Sequence, residues 1–278
     1  MLKNSILFLL VCFSCGSIAF AGDVKKETWD YTKTAKELSK KFTGSKGKVV
    51  PLGDSITYAN QAGKWARYGK GKNKDEMAIS RWMKSNKNDK SNGWWLAAND
   101  QPRGRSWTAA SGITSGQYIK GGFHGLPSAD NILKAHNPQI ALIMLGTNDM
   151  KKKVTAEKYG QNMETIYKKC MANGTIPVAC SVIPTTWGSE AVVKAYNEQI
   201  FNIAKKLKIP FVDLNGEFMK RRPGKTWLGT LISKDGAHPT HKLSAGPATE
   251  ENLKNDGYLL KCYYQVHKVM EIKSKMKW

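Results

Sequence analysis

The sequence predicts an α/β fold in which helices cover both faces of a parallel sheet. Short apolar runs recur along the chain without polar interruption, which is typical of strands that are buried on both faces. Longer segments with apolar residues at helical spacing separate most of these runs, and that alternation favours parallel strands. The predicted strands are 49–52, 106–110, 140–145, 177–183 and 211–214.

The first half of the chain combines two predicted strands with a polar segment. Strand 49–52 stops at Gly53, where a turn begins. Residues 69–93 are rich in Lys, Asn, Gly and Ser, so we expect a surface insertion there, with a short helix around 76–83. The other elements predicted in this half are a helix over 34–42, a helix over 94–98 and a loop of small residues over 111–117.

The second half shows the clearest alternation of strands and helices. Residues 140–145 form the cleanest buried strand of the sequence, and a segment with helical spacing, 155–172, follows and ends at Asn173-Gly174. Pro184 closes the next strand. The remaining predicted elements are a helix that covers 131–135, an amphipathic helix over 191–207, a second polar insertion near 240–255 and a long basic helix over 257–276.

The N-terminus has the parts of a secretory signal peptide. A basic start is followed by a short apolar run and by Ala19-Phe20-Ala21, which is typical of a cleavage site. We therefore expect residues 1–21 to be removed and the protein to be exported to the periplasm or outside the cell. The rest, 22–278, is long enough and apolar enough for one substantial core, and we expect it to form a single domain.

The formal net charge of +22 indicates acidic surroundings, and most of this charge is lysine. Polyanionic glycans, anionic membranes and nucleic acids are the partners that such a charge can attract. Nucleic acid is disfavoured because the sequence has no helix-turn-helix, zinc-finger or RNP pattern. A solvated lysine-rich surface without a charged partner explains the composition equally well.

Three of the five cysteines follow the predicted signal peptide: Cys170, Cys180 and Cys262. All three occur in apolar or helical contexts, which predicts buried free thiols. A single disulfide also remains open for an exported protein, and the sequence does not choose the pair.

Polar residues follow three of the predicted strands. Ser55 comes after the first strand, Gly116 after the second and Asn148 after the third, and a later loop adds Asp235 and His238. The carboxyl ends of parallel strands meet at one edge of a sheet, where ligands bind in open α/β proteins. These residues are therefore expected to converge at that edge.

The residue types match the needs of acyl transfer, which requires a nucleophile, a base, an anchor for the base and donors for an oxyanion. Ser55 is the candidate nucleophile, His238 the base and Asp235 the anchor that fixes the imidazole tautomer. The candidate oxyanion donors are the N–H groups of Ser55 and Gly116 and the side-chain amide of Asn148.

At these positions the chain resembles the SGNH, or GDSL, family of serine esterases. Three motifs carry the resemblance: Gly53-Asp54-Ser55-Ile56-Thr57, Gly146-Thr147-Asn148-Asp149 and Asp235-Gly236-Ala237-His238-Pro239. The motif between them, 110–116, departs from the usual family pattern. We place the oxyanion glycine at Gly116 and keep Gly112 as the alternative.

The resemblance implies a three-layer α/β/α fold with a flavodoxin-like parallel sheet. It also implies ester hydrolysis through an acyl-serine intermediate, without a metal or another cofactor. The chain differs from compact members of the family in its polar insertions. The resemblance therefore does not indicate the shape of the substrate.

Other interpretations of single residues remain. Asp235, His238 and His241 could be metal ligands, although Pro239 disfavours a helix there and the sequence offers no further cluster at ligand spacing. Asp54 and Asp149 are expected to make capping and turn hydrogen bonds. Among the aromatic residues, Trp187 is the candidate substrate contact because it follows a strand end.

The sequence therefore predicts an exported serine esterase that removes acetyl groups from a polysaccharide, which could be an acidic glycan. A lipid or lysophospholipid esterase is the alternative enzyme, although the insertions are polar where a lipid site needs apolar loops. The alternative outside enzymes is a glycan-binding protein without activity. Transfer of the acyl group to another sugar also remains open.

Overall fold

Four parallel strands lie at the centre of the computed structural model, which describes residues 24–85 and 92–278. The strands are β1 (Val49–Gly53), β2 (Ile140–Met144), β3 (Ile176–Cys180) and β4 (Phe211–Val212), and they lie side by side in that order. The predicted signal peptide, 1–21, lies outside the described residues, and so do residues 86–91 of the polar segment.

Helices occupy most of the chain between the strands. In the described residues the helices are α1 (Thr32–Lys41), α2 (Ser55–Tyr58), α3 (Lys64–Tyr68), α4 (Lys74–Trp82), α5 (Gly93–Ala98), α6 (Ser115–Lys120), α7 (Ala129–His136), α8 (Thr147–Lys151), α9 (Ala156–Ala172), α10 (Glu190–Leu207), α11 (Leu214–Arg221), α12 (Glu250–Leu253) and α13 (Gly257–Met276). Short 3₁₀ turns cover Asn60–Gly63 and Phe123–Gly125.

The sheet separates two hydrophobic layers. Because successive strand residues point to opposite faces, Val49 and Leu142 belong to one cluster, and Val50 and Ile143 belong to the other. Residues of α1, α3, α4, α11 and α13 pack in the first cluster, and residues of α6, α7, α9 and α10 pack in the second. The predicted α/β fold with three layers, α/β/α, is confirmed.

The predicted strand over 106–110 does not form as a regular strand, and this part of the sequence interpretation is wrong. A single bridge joins Ala109 to Gly53 in the parallel sense. The hydroxyl oxygen of Ser106 accepts the backbone N–H groups of Thr108 and Ala109, at 3.2 and 3.0 Å, and so turns the chain. The segment still lies beside the free edge of β1, in the place that the second strand has in a flavodoxin-like sheet.

The polar segment after residue 69 contributes to the core where the structure describes it. Helix α4 begins with a capping box between Asn73 and Glu76, and it buries Ile79. The cysteines that follow the predicted signal peptide are free and buried, as the sequence predicts. Within residues 24–85 and 92–278, we find no helix that combines the length and apolar character needed to cross a membrane.

Candidate active site

Ser55 is placed by a sharp change from strand to helix at the end of β1. A Cβ at Gly53 would lie 2.3 Å from the hydroxyl oxygen of Thr57 and 2.5 Å from the carbonyl oxygen of Met144, so only glycine fits. Asp54 then caps α2, because its Oδ1 accepts the N–H of Ile56 at 3.0 Å. Ser55 is the first residue of that helix, at the carboxyl edge of the sheet.

Ser55, His238 and Asp235 form a continuous hydrogen-bonded series. The Oγ of Ser55 lies 2.9 Å from Nε2 of His238, and Nδ1 of the same ring lies 2.6 Å from Oδ2 of Asp235. An ionised carboxylate only accepts, so Nδ1 carries the hydrogen and Nε2 is free to accept the hydroxyl proton. The structure thus brings together the three residues that the sequence singled out for the nucleophile, base and anchor.

Asp235 is held as an ion by its own turn. Burial by itself raises the pKa of its carboxyl. Hydrogen bonds from the N–H groups of Ala237 and His238 and from the imidazole together lower the pKa by more, so it lies below its usual value. Both backbone bonds reach Oδ1 at 3.0 Å. Oδ2 is therefore left to orient the imidazole.

The chain that leaves β3 anchors this turn to the sheet. The hydroxyl of Thr185 and the N–H of Thr186 donate to the carbonyl oxygen of Gly236 at 2.7 and 2.8 Å. The indole Nε1 of Trp187 donates to the carbonyl oxygen of Asp235 at 3.2 Å. Three neighbouring residues therefore fix the position of the loop that carries His238.

Asn148 enters the site from the end of β2. The preceding Gly146 has a φ of 129°, and a Cβ there would lie 2.7 Å from Val182 and 2.9 Å from the hydroxyl of Tyr159. This glycine therefore allows α8 to begin directly after the strand, with Asn148 buried in its first turn. The Nδ2 of Asn148 donates to Oδ2 of Asp54 at 3.2 Å.

Two buried carboxylates lie beneath the site. Burial raises the pKa of Asp54 to about 6, and the hydrogen bond from Ile56 and the nearby imidazole offset only part of this effect. Burial also raises the pKa of Asp149, whose oxygens accept the N–H and the hydroxyl of Ser115. Asp54 caps its own helix, as the sequence predicts, and has the additional contact with Asn148. The Asp149 side chain instead bonds to the start of α6, a contact between distant parts of the sequence.

The two candidate glycines for the oxyanion site occupy different positions. Gly116 is the second residue of α6, and a Cβ there would face the side chain of Asn162 at 3.3 Å. Gly112 lies in the loop that follows Ala110, with a φ of 81°. Because Ala109 pairs with Gly53 in the parallel sense, Gly112 follows that bridge by three residues and Ser55 follows it by two. Both segments turn away directly after the bridge, so this register does not choose between the two glycines. Gly116 follows Ser115, which is bonded to Asp149 beside Asn148, and its N–H lies in the first turn of α6.

Trp187 lies against the proposed base. Its ring centroid is 6.1 Å from that of His238 with an interplanar angle of 88°, and the side chain is half-buried. The ammonium of Lys151, at the end of α8, lies 4.1 Å from the centroid of the indole. The predicted substrate contact is therefore next to the imidazole, with a lysine over it.

The metal-binding alternative gains no support from the arrangement of side chains. Both ring nitrogens of His238 are engaged by Asp235 and Ser55. In the described parts of the chain, no three His, Cys, Asp or Glu side chains are grouped as they would be around a metal ion.

Sequence reasoning missed two contacts of this site. The bond between Asp54 and Asn148 joins residues 94 positions apart, and no local pattern signals it. The sequence suggested Lys151 only as one residue of a basic run. It follows the motif 146–149 by two residues, and this closeness to Asn148 was a usable signal.

The fold and the site together define a class: α/β proteins with a Ser–His–Asp arrangement at the carboxyl edge of a parallel sheet. The model of the GDSL-like Lipase/Acylhydrolase family matches residues 52–244, so the chain belongs to this family. No curated protein matches the chain by sequence.

Solved structures share the fold at low sequence identity. A lipolytic protein of the G-D-S-L family from Desulfitobacterium hafniense DCB-2 is 20% identical, with a TM-score of 0.51, and the match covers 80% of this chain and 99% of that one. A carbohydrate esterase family 3 protein from Talaromyces cellulolyticus and an acetyl esterase mutant with an acetate ion are each 17% identical, with TM-scores of 0.53; each match covers 81% of this chain and 98% of the other. At these identities the likeness concerns the fold alone.

Proposed function

We propose that this protein is a serine esterase that hydrolyses O-acetyl esters on a carbohydrate. The observation that carries the proposal is the series from Ser55 through His238 to Asp235, with contacts of 2.9 and 2.6 Å. Such a series activates a hydroxyl for attack on an ester carbonyl. Family membership supports ester hydrolysis as the class of reaction.

The proposed reaction has two steps. In the first, the Oγ of Ser55 bonds to the ester carbonyl carbon while Nε2 of His238 takes the hydroxyl proton; the C–O bond to the alcohol then breaks, and the imidazolium returns the proton to the leaving oxygen. In the second, water attacks the acyl carbon while Nε2 of His238 takes one of its protons. The bond between the acyl carbon and Oγ then breaks, the imidazolium returns the proton to Oγ of Ser55, and acetic acid leaves and ionises to acetate. Asp235 stabilises the imidazolium in both steps.

Hydrogen-bond donors beside Ser55 would stabilise the oxyanion of each tetrahedral intermediate. The proposed donors are the N–H of Ser55 and the second N–H of the Asn148 amide, whose first N–H is bound to Asp54. The third donor is a glycine N–H. We propose Gly116 for this role, with Gly112 as the alternative, because Gly116 lies in the first turn of α6 and follows Ser115, which is bonded to Asp149 beside Asn148.

The acetyl and carbohydrate parts of the proposal rest on the surroundings of the site. The half-buried indole of Trp187 beside His238 suits a sugar ring, and the neighbouring loops are polar. Structural likeness to an acetyl esterase and a carbohydrate esterase makes acetylated glycans the substrates to test first. The proposal includes export, since the sequence of residues 1–21 is typical of a signal peptide.

The test is hydrolysis of 4-nitrophenyl acetate and release of acetate from acetylated oligosaccharides, with Ser55→Ala as the control. The expected result is turnover by the wild type, almost none by the variant, and labelling of Ser55 by a serine-directed phosphonate. An intact protein that binds glycans but shows neither turnover nor label would be a binding protein, and the proposal would fail. Hydrolysis of long-chain lipid esters but not of acetylated glycans would overturn the carbohydrate part.

A further inference from the structure

The geometry of the site indicates where the acyl part and the alcohol part of a bound ester lie. In the proposed reaction Nε2 of His238 returns the proton to the leaving alcohol, so this alcohol must lie on the side of the imidazole. The carbonyl oxygen must lie on the side of Asn148, whose amide donates to it. Trp187, in edge contact with the His238 ring, therefore marks the alcohol side.

A cavity of about 600 Å³ has Trp187 in its wall, and the same indole contacts the ring of His238. Its wall is formed by the segment after β3, the start of α10, the start of α11 and the loop around Trp227. A volume of several hundred Å³ is the size of a small-molecule site. The cavity is therefore large enough to hold a sugar residue of the leaving alcohol.

Lysine ammonium groups lie around this cavity. Lys25, Lys194 and Lys225 line it and are exposed, and Lys151 lies over the indole of Trp187, which belongs to the same wall. In the described parts of the chain, none of these four side chains forms an ion pair with a carboxylate. Their charges are thus free to attract an anion.

The carboxylates in the same wall do not cancel this charge. Asp213 is buried, and its oxygens accept the N–H groups of Lys25 and Gly216 and the hydroxyl of Ser181. Glu190 is exposed at the start of α10, where it is placed to favour the helix dipole. The ammonium groups of Lys25, Lys151, Lys194 and Lys225 therefore outnumber the one exposed carboxylate.

We propose that this cavity binds an anionic sugar residue in the leaving alcohol, held through its carboxylate or sulfate by Lys151, Lys194 and Lys225. The inference rests on the proposed esterase function and names its substrate class, which is an acetylated acidic glycan. The indole of Trp187 contacts the sugar ring through its face or its edge. The lysine ammonium groups bind the negatively charged group of that sugar.

The experiment compares kcat/KM for acetylated oligosaccharides of three kinds: neutral, uronic and sulfated. The proteins are the wild type, Lys151→Gln, Lys194→Gln, Lys225→Gln and the triple variant. Lys152→Gln is the matched control, because it removes the same charge from the exposed residue next to Lys151, whereas it is Lys151 that lies over the indole of Trp187. 4-Nitrophenyl acetate measures the chemistry on an ester without a sugar.

The wild type is expected to prefer an anionic substrate over the neutral one, with a preference that decreases as salt is added. Each single variant is expected to lower kcat/KM for the anionic substrate about threefold, mainly through KM, and the triple variant about tenfold or more. Lys152→Gln is expected to leave the preference unchanged. A preference for both uronic and sulfated substrates supports recognition of charge, and a preference for one identifies the source of the anion.

Equal or better turnover of the neutral glycan, or losses in Lys152→Gln as large as those in the three variants, would overturn the inference while the esterase proposal stands. Absence of turnover on every ester, including 4-nitrophenyl acetate, would instead overturn the proposed function. In that case, binding of deacetylated oligogalacturonide to the intact protein still tests the cavity, and equal binding by the wild type and the triple variant would refute it.

Discussion

The side-chain amide of Asn148 is anchored by the buried carboxylate of Asp54. Its Nδ2 donates to Oδ2 at 3.2 Å, across 94 positions of sequence. The bond fixes which end of the amide faces Asp54, because a carboxylate can accept only from the NH₂ end. The other N–H of the same group is thereby aimed elsewhere, and this is the N–H that we propose for the oxyanion.

Replacing Asp54 with Asn should therefore reduce catalysis. The Oδ1 of the new side chain can still accept from Ile56, but its NH₂ group then faces Asn148 and favours rotation of that amide by half a turn. Loss of one oxyanion donor should lower kcat on the order of 10²-fold with little change in KM. Steady-state kinetics with 4-nitrophenyl acetate measures this, and wild-type kcat in a folded variant would contradict it.

The same pair allows a double-mutant cycle. Asn148→Ala alone should raise the activation barrier by about 3 kcal/mol. If Asp54 acts by positioning Asn148, the double variant should be about as active as Asn148→Ala, so that the two effects are not additive. Additive losses in kcat would show that Asp54 acts on the reaction by another route.

The raised pKa of Asp54 predicts a specific dependence of stability on pH. The folded protein holds this proton up to about pH 6, whereas the usual value is 3.8. Between these values the native state binds more protons than the unfolded state, so the free energy of unfolding falls as pH rises and then levels above about pH 6. The fall from this group is on the order of 3 kcal/mol.

Urea unfolding from pH 4 to pH 8 checks this linkage, with Asp54→Asn as the comparison. The free energy of unfolding of the wild type should decrease across the window relative to that of the variant, which lacks the titrating group. Parallel curves for the two proteins would mean that the pKa of Asp54 is not raised in the native state.

Asp235→Asn should test the anchor of the base. An Asn side chain can still accept the backbone N–H groups of Ala237 and His238, so the turn should form. Its NH₂ group cannot accept from Nδ1, however, and it favours the tautomer that has a hydrogen on Nε2. We expect kcat to fall by about 10³–10⁴-fold with an unchanged circular dichroism spectrum. A loss below tenfold would argue against Asp235 as the partner of His238.

Gly53→Ala should destabilise the protein, because the new methyl group would meet the hydroxyl oxygen of Thr57 and a backbone carbonyl oxygen, at 2.3 and 2.5 Å. The expected loss is about 2–4 kcal/mol in the free energy of unfolding, since the carbonyl belongs to β2 and cannot move alone. Gly116→Ala is the control for stability: its methyl would lie 3.3 Å from the end of the Asn162 side chain. Equal unfolding free energies for the two variants would refute this account.

The regular part of the fold was predictable from the sequence because its strands are continuous apolar runs. β2 and α13 match their predicted positions closely. Prediction failed where small polar residues decide between strand, loop and helix. The Ser106 hydroxyl turned a predicted strand, and α6 formed where a loop was expected, although Thr114 and Gln117 make a readable capping box.

Ser55 and Asn148 could be named from the sequence because each follows a strand whose end is visible there, and Asp235 and His238 could be named from the motif in which they stand. The contacts between these side chains could not be predicted. The bond between Asp54 and Asn148 depends on the register of β1 against β2, and the contact of Lys151 with Trp187 depends on how two loops meet. These are properties of the packed sheet, and no local pattern records them.

Ser55 and His238 are 183 positions apart, yet their side chains lie within hydrogen-bond distance. The intervening chain includes β2 and β3, so this contact exists only after most of the sheet has assembled in the correct order. Recovery of turnover during dilution from denaturant would then report completion of folding, whereas helix content could return earlier. An engineered break between the two residues should likewise yield inert fragments whose mixing restores hydrolysis only when they reassociate.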